Sequence, residues 1–203
     1  MLFDLDGVLL DSFAGYREVW SRWCALREVD LQLTWAATHG RRPVDTVAVV
    51  APHLTPEDEY VVLDALLDDV ADGFPAFAEA APLPHSMLVA PWGVVTSGQR
   101  GTVLARFNTH GLPQPAVFVD GDGVTEGKPS PQGYLKAARL LGVIPTAGLV
   151  VEDATAGVQA GKAAGMTVLA IASTHRPEEL RQADHVVLKL AEDAPHVPRW
   201  LDA

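Results

Sequence analysis

Short apolar runs rich in β-branched residues recur along the chain: MLFDL at the start, WGVVT from Trp92, AVFVD from Ala116, AGLVVED from Ala147, MTVLAIA from Met166 and HVVLKL from His185. Helix-like segments lie between them, and such alternation predicts an α/β domain with a largely parallel sheet. Local signals mark the helices. Ser130 is placed to cap one that has Pro131 at its first position and Gly142 just past its end. Gly165 closes the next, TAGVQAGKAAG, in the same way.

From about Phe13 to Pro82 the pattern changes. Strand signals vanish, and apolar positions recur at helical spacing in YREVWSRWCALREV and DEYVVLDALLDDVADGF. The expected division is a core of residues 1–12 and 83–203 with a helical insertion over 13–82, Pro82 and Pro84 marking the return. Parallel sheets bind ligands outside the carboxyl ends of their strands, so an insertion leaving the first strand is placed to cover the site. The stretch APLPHSMLVAPWGVVTSG leaves roughly ten residues before the second strand, with Pro91 unfavourable in any helix, which predicts a short or irregular connection.

The opening FDLDGVLLDS carries the first candidate chemistry. A buried carboxylate must be paired, bound to metal or functional. Asp4 and Asp6, two apart on a strand, point to one side, and Gly7 permits a tight turn behind them. The pair suits a nucleophile and an acid/base; it suits helix capping or pairing with a basic residue as well. Thr96, followed by Ser97 and Gly98, puts a hydroxyl and a loose loop at another strand end, where they can bond an anionic oxygen. Lys128 precedes a proline, which favours an extended backbone and can direct the ammonium toward a phosphate. Glu152 and Asp153 end the LVVED run and offer hard oxygen ligands of the kind magnesium prefers, or helix caps. Separately each is weak, since a strand-terminal threonine is usually structural and a loop lysine usually solvated. Their order along the chain is far more specific.

On these residues the sequence resembles the haloacid-dehalogenase-like phosphohydrolases, whose four motifs correspond to FDLDGVLLDS, VVTSG, GKPSP and VVEDATAGVQAGKAAGM over essentially the whole chain. The resemblance implies a Rossmann-like, doubly wound parallel core with a small helical cap inserted after the first strand. It implies Asp4 as the nucleophile that forms an aspartyl-phosphate, and Asp6 as general acid and then base. Thr96 and Ser97 would hold phosphoryl oxygens, and Lys128 would offset charge on Asp4 and the phosphate. Magnesium would be bound by Asp4, the backbone carbonyl of Asp6 and Asp153, with Glu152 either supporting the site or acting as a ligand through water. The dehalogenase branch lacks an acid/base at the second aspartate, so Asp6 fits phosphoryl transfer.

The insertion resembles the cap of the family's sugar-phosphate branch, which includes glycerol-phosphate and deoxysugar-phosphate phosphatases and β-phosphoglucomutase. Within it HGRRPVDTV offers His39, Arg41, Arg42 and Asp45 for hydroxyl or charge recognition. A helix start with Pro43 in its first turn and solvated arginines accounts for the same residues about as well. The expected function is magnesium-dependent hydrolysis of small phosphate monoesters such as sugar or polyol phosphates. A phosphosugar mutase shares the four motifs but depends on a bisphosphate activator, and the cap loop favours hydrolysis. A noncatalytic phosphate-binding protein is disfavoured because all the reactive groups are present.

Composition narrows the partners. At 203 residues the chain is long enough for one sizeable core and a small accessory unit. Acidic residues outnumber basic ones by 26 to 15, for a formal charge of −11, which disfavours nucleic acid and anionic membranes and favours a small phosphorylated metabolite. Cys24 is the only cysteine, so no intrachain disulfide forms, as suits a reducing cytoplasm. No apolar run reaches the roughly 18 residues of a membrane span, and the start lacks the features of a signal peptide. That start is abrupt, which suggests that a few upstream residues are missing. A monomer or small homo-oligomer is expected. Asp11 and Ser12 suit the cap or hinge of the first inserted helix. Trp20 and Trp23 read as core of the insertion rather than a stacking platform, and His85, His110 and His196 have no evident partner.

Overall fold

The computed structural model describes residues 1–70, 74–78, 80 and 91–190. Each of the apolar runs forms a strand: β1 (Leu2–Phe3), β2 (Gly93–Val95), β3 (Val117–Val119), β4 (Leu149–Glu152), β5 (Thr167–Ile171) and β6 (His185–Val187). Between β1 and β2 come α1 (Phe13–Arg27), α2 (Leu31–Thr38), α3 (Pro43–Val50) and α4 (Pro56–Asp68). Then α5 (Arg100–His110) follows β2, α6 (Gln132–Leu141) follows β3 and α7 (Thr155–Ala163) follows β4.

The strands make one sheet in the order β3-β2-β1-β4-β5-β6, parallel throughout. Alternate side chains enter opposite apolar layers: Phe3, Val94, Val151 and Leu169 face one, with Phe107 of α5, and Leu2, Val95, Val150 and Val168 face the other, with Tyr134 of α6 and Val158 of α7. Burial on both faces explains why the strands read as continuous apolar runs. From β1 the sheet grows outward through β2 and β3, then the chain returns to lay β4 on the other flank of β1. The carboxyl ends of β1 and β4 therefore meet where the order reverses, the place at which such sheets open a crevice.

The helices α1 to α4 pack around their own core, built on Trp20, Trp23, Val47 and Leu63. Glu59 is buried there and accepts from Trp23 Nε1 at 2.8 Å and Arg27 Nε at 2.7 Å, which meets the cost of burying a carboxylate. The helix start within HGRRPVDTV is present, with Pro43 as the first residue of α3.

Helix α6 departs from expectation by one residue. Pro131 takes the cap position rather than the first turn, and Ser130 Oγ accepts only a long 3.4 Å bond from Gln132 N. Gly142 ends the helix in the left-handed region, as does Gly165 after α7. His110 has a partner that the sequence did not reveal, since its Nε2 lies 2.9 Å from the Phe74 carbonyl. Pro82, Pro84, His85, His196 and most of the short connection before β2 lie outside the described residues. Among the described residues no helix is long and apolar enough to cross a membrane.

Trp23→Ala deletes a side chain with 0% exposure and takes a donor from Glu59. It is expected to destabilise the protein by about 3–5 kcal/mol, measured by denaturant unfolding.

Candidate active site

Strand β1 ends at Phe3, so Asp4 and Asp6 do not share a face through strand alternation. Asp4 N still pairs with Val151 O at 2.9 Å, and the chain then folds into a tight loop in which Leu9 and Leu10 N–H groups return to Leu5 O. Buried Leu5, Val8, Leu9 and Leu10 anchor that loop in the core. Gly7 sits in it at φ 79, and a Cβ there would overlap the Asp153 carboxylate, so the position requires glycine twice over. By this turn Asp4 and Asp6 reach one cavity of about 110 Å³.

The acidic residues at the end of β4 complete a buried cluster. Lys128 Nζ donates to Asp4 Oδ1 at 2.5 Å and to Glu152 Oε1 at 2.6 Å. Glu152 has 0% exposure; it also accepts from Tyr134 OH at 2.6 Å and, through Oε2, from Asp153 N at 3.1 Å and Ala154 N at 3.3 Å. Gly157, in the first turn of α7, leaves it space, because a Cβ there would coincide with its carboxylate. Asp153 Oδ2 accepts from Thr174 Oγ1 at 2.5 Å. Ligand atoms of Asp4, Glu152 and Asp153 all lie within 4.8 Å of one another.

Three carboxylates thus face one ammonium. Burial, followed by the charges of Glu152 and Asp6, pushes Asp4 up to about 7 against the pull of Lys128. Asp153 is raised well above the usual range by burial and by Glu152 and Asp4. Burial acts to lower Lys128, but Asp4 and Glu152 outweigh it and hold the ammonium above its ordinary value. Burial likewise raises Asp6, with Arg106 acting in the opposite direction. A crowded set of hard oxygen donors with excess negative charge fits a divalent cation such as magnesium.

The other expected residues divide into two groups. Thr96 is buried just past β2, where its Oγ1 accepts from Gly98 N at 3.1 Å, and it shares a cleft with Lys128 and Ser97. Ser97 Oγ donates to the Gly40 carbonyl of the helical unit at 3.0 Å. His39 and Arg41 line the main cavity. Arg42 does not: its guanidinium binds both Asp45 oxygens at 2.7 and 2.8 Å and donates to the carbonyls of Gly121, Val124 and Thr125 at 3.4, 3.1 and 3.2 Å. Residues 39–42 therefore join the helical unit to the core, with Arg42 engaged by the loop after β3 and His39 against His175 at 5.0 Å between ring centroids. Phe13 and Trp35, 5.1 Å apart edge to face, continue this aromatic wall. Trp20, read as core, is buried and also borders the cavity. Ser12 stands at the start of α1 without a side-chain cap bond.

Tyr16, Arg106, Tyr134 and Thr174 touch the acidic residues and were not singled out in the sequence. The signal available was local only for Tyr134, which lies one helical turn beyond GKPSP.

Sheet order, the helical insertion after β1 and carboxylates at the switch point define an α/β enzyme class with its chemistry at the strand ends. A family model described as haloacid dehalogenase-like hydrolase matches residues 1–165. Hexitol phosphatase A of Escherichia coli is 35% identical over 196 residues, covering 94% of this chain and 91% of that protein. Validoxylamine A 7'-phosphate phosphatase of Streptomyces hygroscopicus is 36% identical over 211 residues, covering 97% and 96%. A hydrolase structure from Pseudomonas syringae superposes with a TM-score of 0.86 at 20% identity, covering 98% of this chain and 96% of its own. The chain belongs to the haloacid dehalogenase-like hydrolase family.

The His39 contact has a pH signature. Burial, with His175 beside it, pulls the His39 imidazole from 6.5 down to about 4. The folded state favours the neutral ring, so this stabilisation is complete above 6.5 and declines as pH falls and the unfolded chain takes up the proton. Thermal unfolding from about pH 7 to about pH 4 should show a steeper loss for wild type than for His39→Gln.

Proposed function

We propose that this protein is a magnesium-dependent phosphatase of small phosphate monoesters, with sugar or polyol phosphates as substrates. The observation that carries this reading is the Lys128 bridge between Asp4 and Glu152, with Asp153 within 4.8 Å in the metal-ligating group. The names of the two phosphatases at 35% and 36% identity support the substrate class. We read the helical unit, residues 13–82, as a cap that excludes bulk water. Cys24, buried and unpaired, supports a reducing cytoplasm.

Asp4 attacks phosphorus through a carboxylate oxygen, and the bond from phosphorus to the ester oxygen breaks. Asp6, whose protonated form is favoured by burial, gives its proton to that departing oxygen. An aspartyl-phosphate remains on Asp4. Asp6 then removes a proton from water, whose oxygen attacks phosphorus and releases Asp4 and inorganic phosphate. Lys128 holds Asp4 in place and offsets charge on the transferring group, and Thr96, whose hydroxyl accepts from Gly98 N and keeps its own proton, supplies a hydroxyl to its oxygens, whereas the Ser97 hydroxyl is committed to the Gly40 carbonyl. Asp4, the Asp6 carbonyl and Asp153 are the residues that would hold magnesium, with Glu152 in support. Bound there, the ion supplies positive charge that a phosphate dianion needs beside these carboxylates.

Phosphate release from a panel of sugar and polyol phosphates with magnesium checks the assignment. Asp4→Asn should fall to background, Asp6→Asn should lose about 10²- to 10⁴-fold in rate, and EDTA should stop the wild type. A requirement for a sugar bisphosphate would indicate a mutase, and release that survives Asp4→Asn would refute the mechanism.

A further inference from the structure

Asp6 is held differently from the other acidic residues. Its Oδ2 accepts from Tyr16 OH at 3.4 Å and the Ser12 hydroxyl also favours its charged form, whereas Oδ1 is buried with no partner at hydrogen-bond geometry. A buried oxygen left unpaired in a native site calls for a reason. The cation facing it is Arg106, whose Nη1 lies 3.9 Å from Oδ1, too far for a hydrogen bond.

Arg106 projects from α5 with its side chain only 10% exposed, and burying a guanidinium is costly unless its surroundings compensate. Two aromatic rings hold it. Its guanidinium carbon lies 3.6 Å from the Phe74 ring centroid, Nη1 donates to Tyr16 OH at 3.3 Å, and Tyr16 packs edge to face on Phe74 at 5.0 Å. A phenol oxygen that accepts from Arg106 has its own proton free for another acceptor, and the acceptor in reach is Asp6 Oδ2. The chain of contacts runs from Arg106 through Tyr16 to Asp6.

We propose that Arg106 is a positioning residue for the acid/base: through Tyr16 it fixes the Asp6 carboxyl by Oδ2 and leaves Oδ1 open to exchange a proton with the ester oxygen or the attacking water. The Asp6 carboxyl bonds neither phosphorus nor metal; only its proton moves, to the departing oxygen as phosphorus passes to Asp4. Tyr16 comes from α1 and Arg106 from α5, so the arrangement forms only where the helical unit meets the core.

This inference rests on the phosphatase reading, and leaving groups of different basicity separate the two. An alkyl phosphate such as sorbitol 6-phosphate needs its departing oxygen protonated; p-nitrophenyl phosphate scarcely does. If the wild-type enzyme with magnesium releases phosphate from neither, the phosphatase reading fails and the inference with it. Given wild-type activity, Arg106→Met and Tyr16→Phe should lower kcat/KM for the alkyl ester by about 10- to 100-fold and for p-nitrophenyl phosphate far less. Tyr16→Phe keeps the ring on Phe74, so it tests the contact even where Arg106→Met fails to fold. In an Asp6→Asn background either change should add little to the selective loss on the alkyl ester. Equal losses on both substrates, or no loss on either, would overturn the assignment.

Discussion

Three carboxylates that cannot all be neutralised from within the protein set the terms for the rest of this structure. Like charges under 5 Å apart repel by about 3 kcal/mol or more at an effective dielectric near 20, and Lys128 offers one positive charge against Asp4, Glu152 and Asp153. The surroundings answer that excess oxygen by oxygen. Glu152 has its two oxygens committed to Lys128, Tyr134 and two backbone N–H groups, so it acts as the fixed support of the cluster. Asp153 has a hydroxyl from Thr174, and Asp4 has Lys128. Glycines at 7 and 157 keep side chains out of the crowded volume. What remains is negative charge of the kind a divalent cation balances.

The sheet makes this concentration possible. Strands β1 and β4 are neighbours in space although nearly 150 residues of chain separate them, because the winding reverses between them. Acidic residues from two distant segments are brought to adjoining strand ends, while the helical unit, which departs just after the same loop, lines the cavity they enter. Its aromatic residues Phe13, Trp35 and His39 line the same cavity as Asp4, Asp6 and Asp153. The cavity is therefore bounded by carboxylates from the core and by aromatic rings from the helical unit.

What the sequence made legible follows from the range of the forces involved. The strands could be read because both of their faces are buried, which writes Val150, Val151 and their equivalents as unbroken apolar runs. Gly142 was legible because a left-handed helix terminus is a local demand. Asp4 and Asp6 do enter one cavity, but a turn after Phe3 brings them there rather than the strand period. The contact of Arg106 with Tyr16 spans 90 positions and that of Trp23 with Glu59 spans 36. Such pairs are made by packing, and no local pattern announces them. Arg42 shows the same limit: its residue type suggested a charged ligand, whereas its partners include carbonyl oxygens about 80 positions away.

That choice of partners has an evolutionary meaning. Because Gly121, Val124 and Thr125 receive Arg42 through main-chain oxygens, the acceptors persist through any change of side chain that preserves the path of the loop. At the exposed Thr125 the loop is thereby at liberty to change its side chain without loosening the helical unit, whereas Gly121 is held to glycine, because a Cβ there would meet the Ser97 carbonyl.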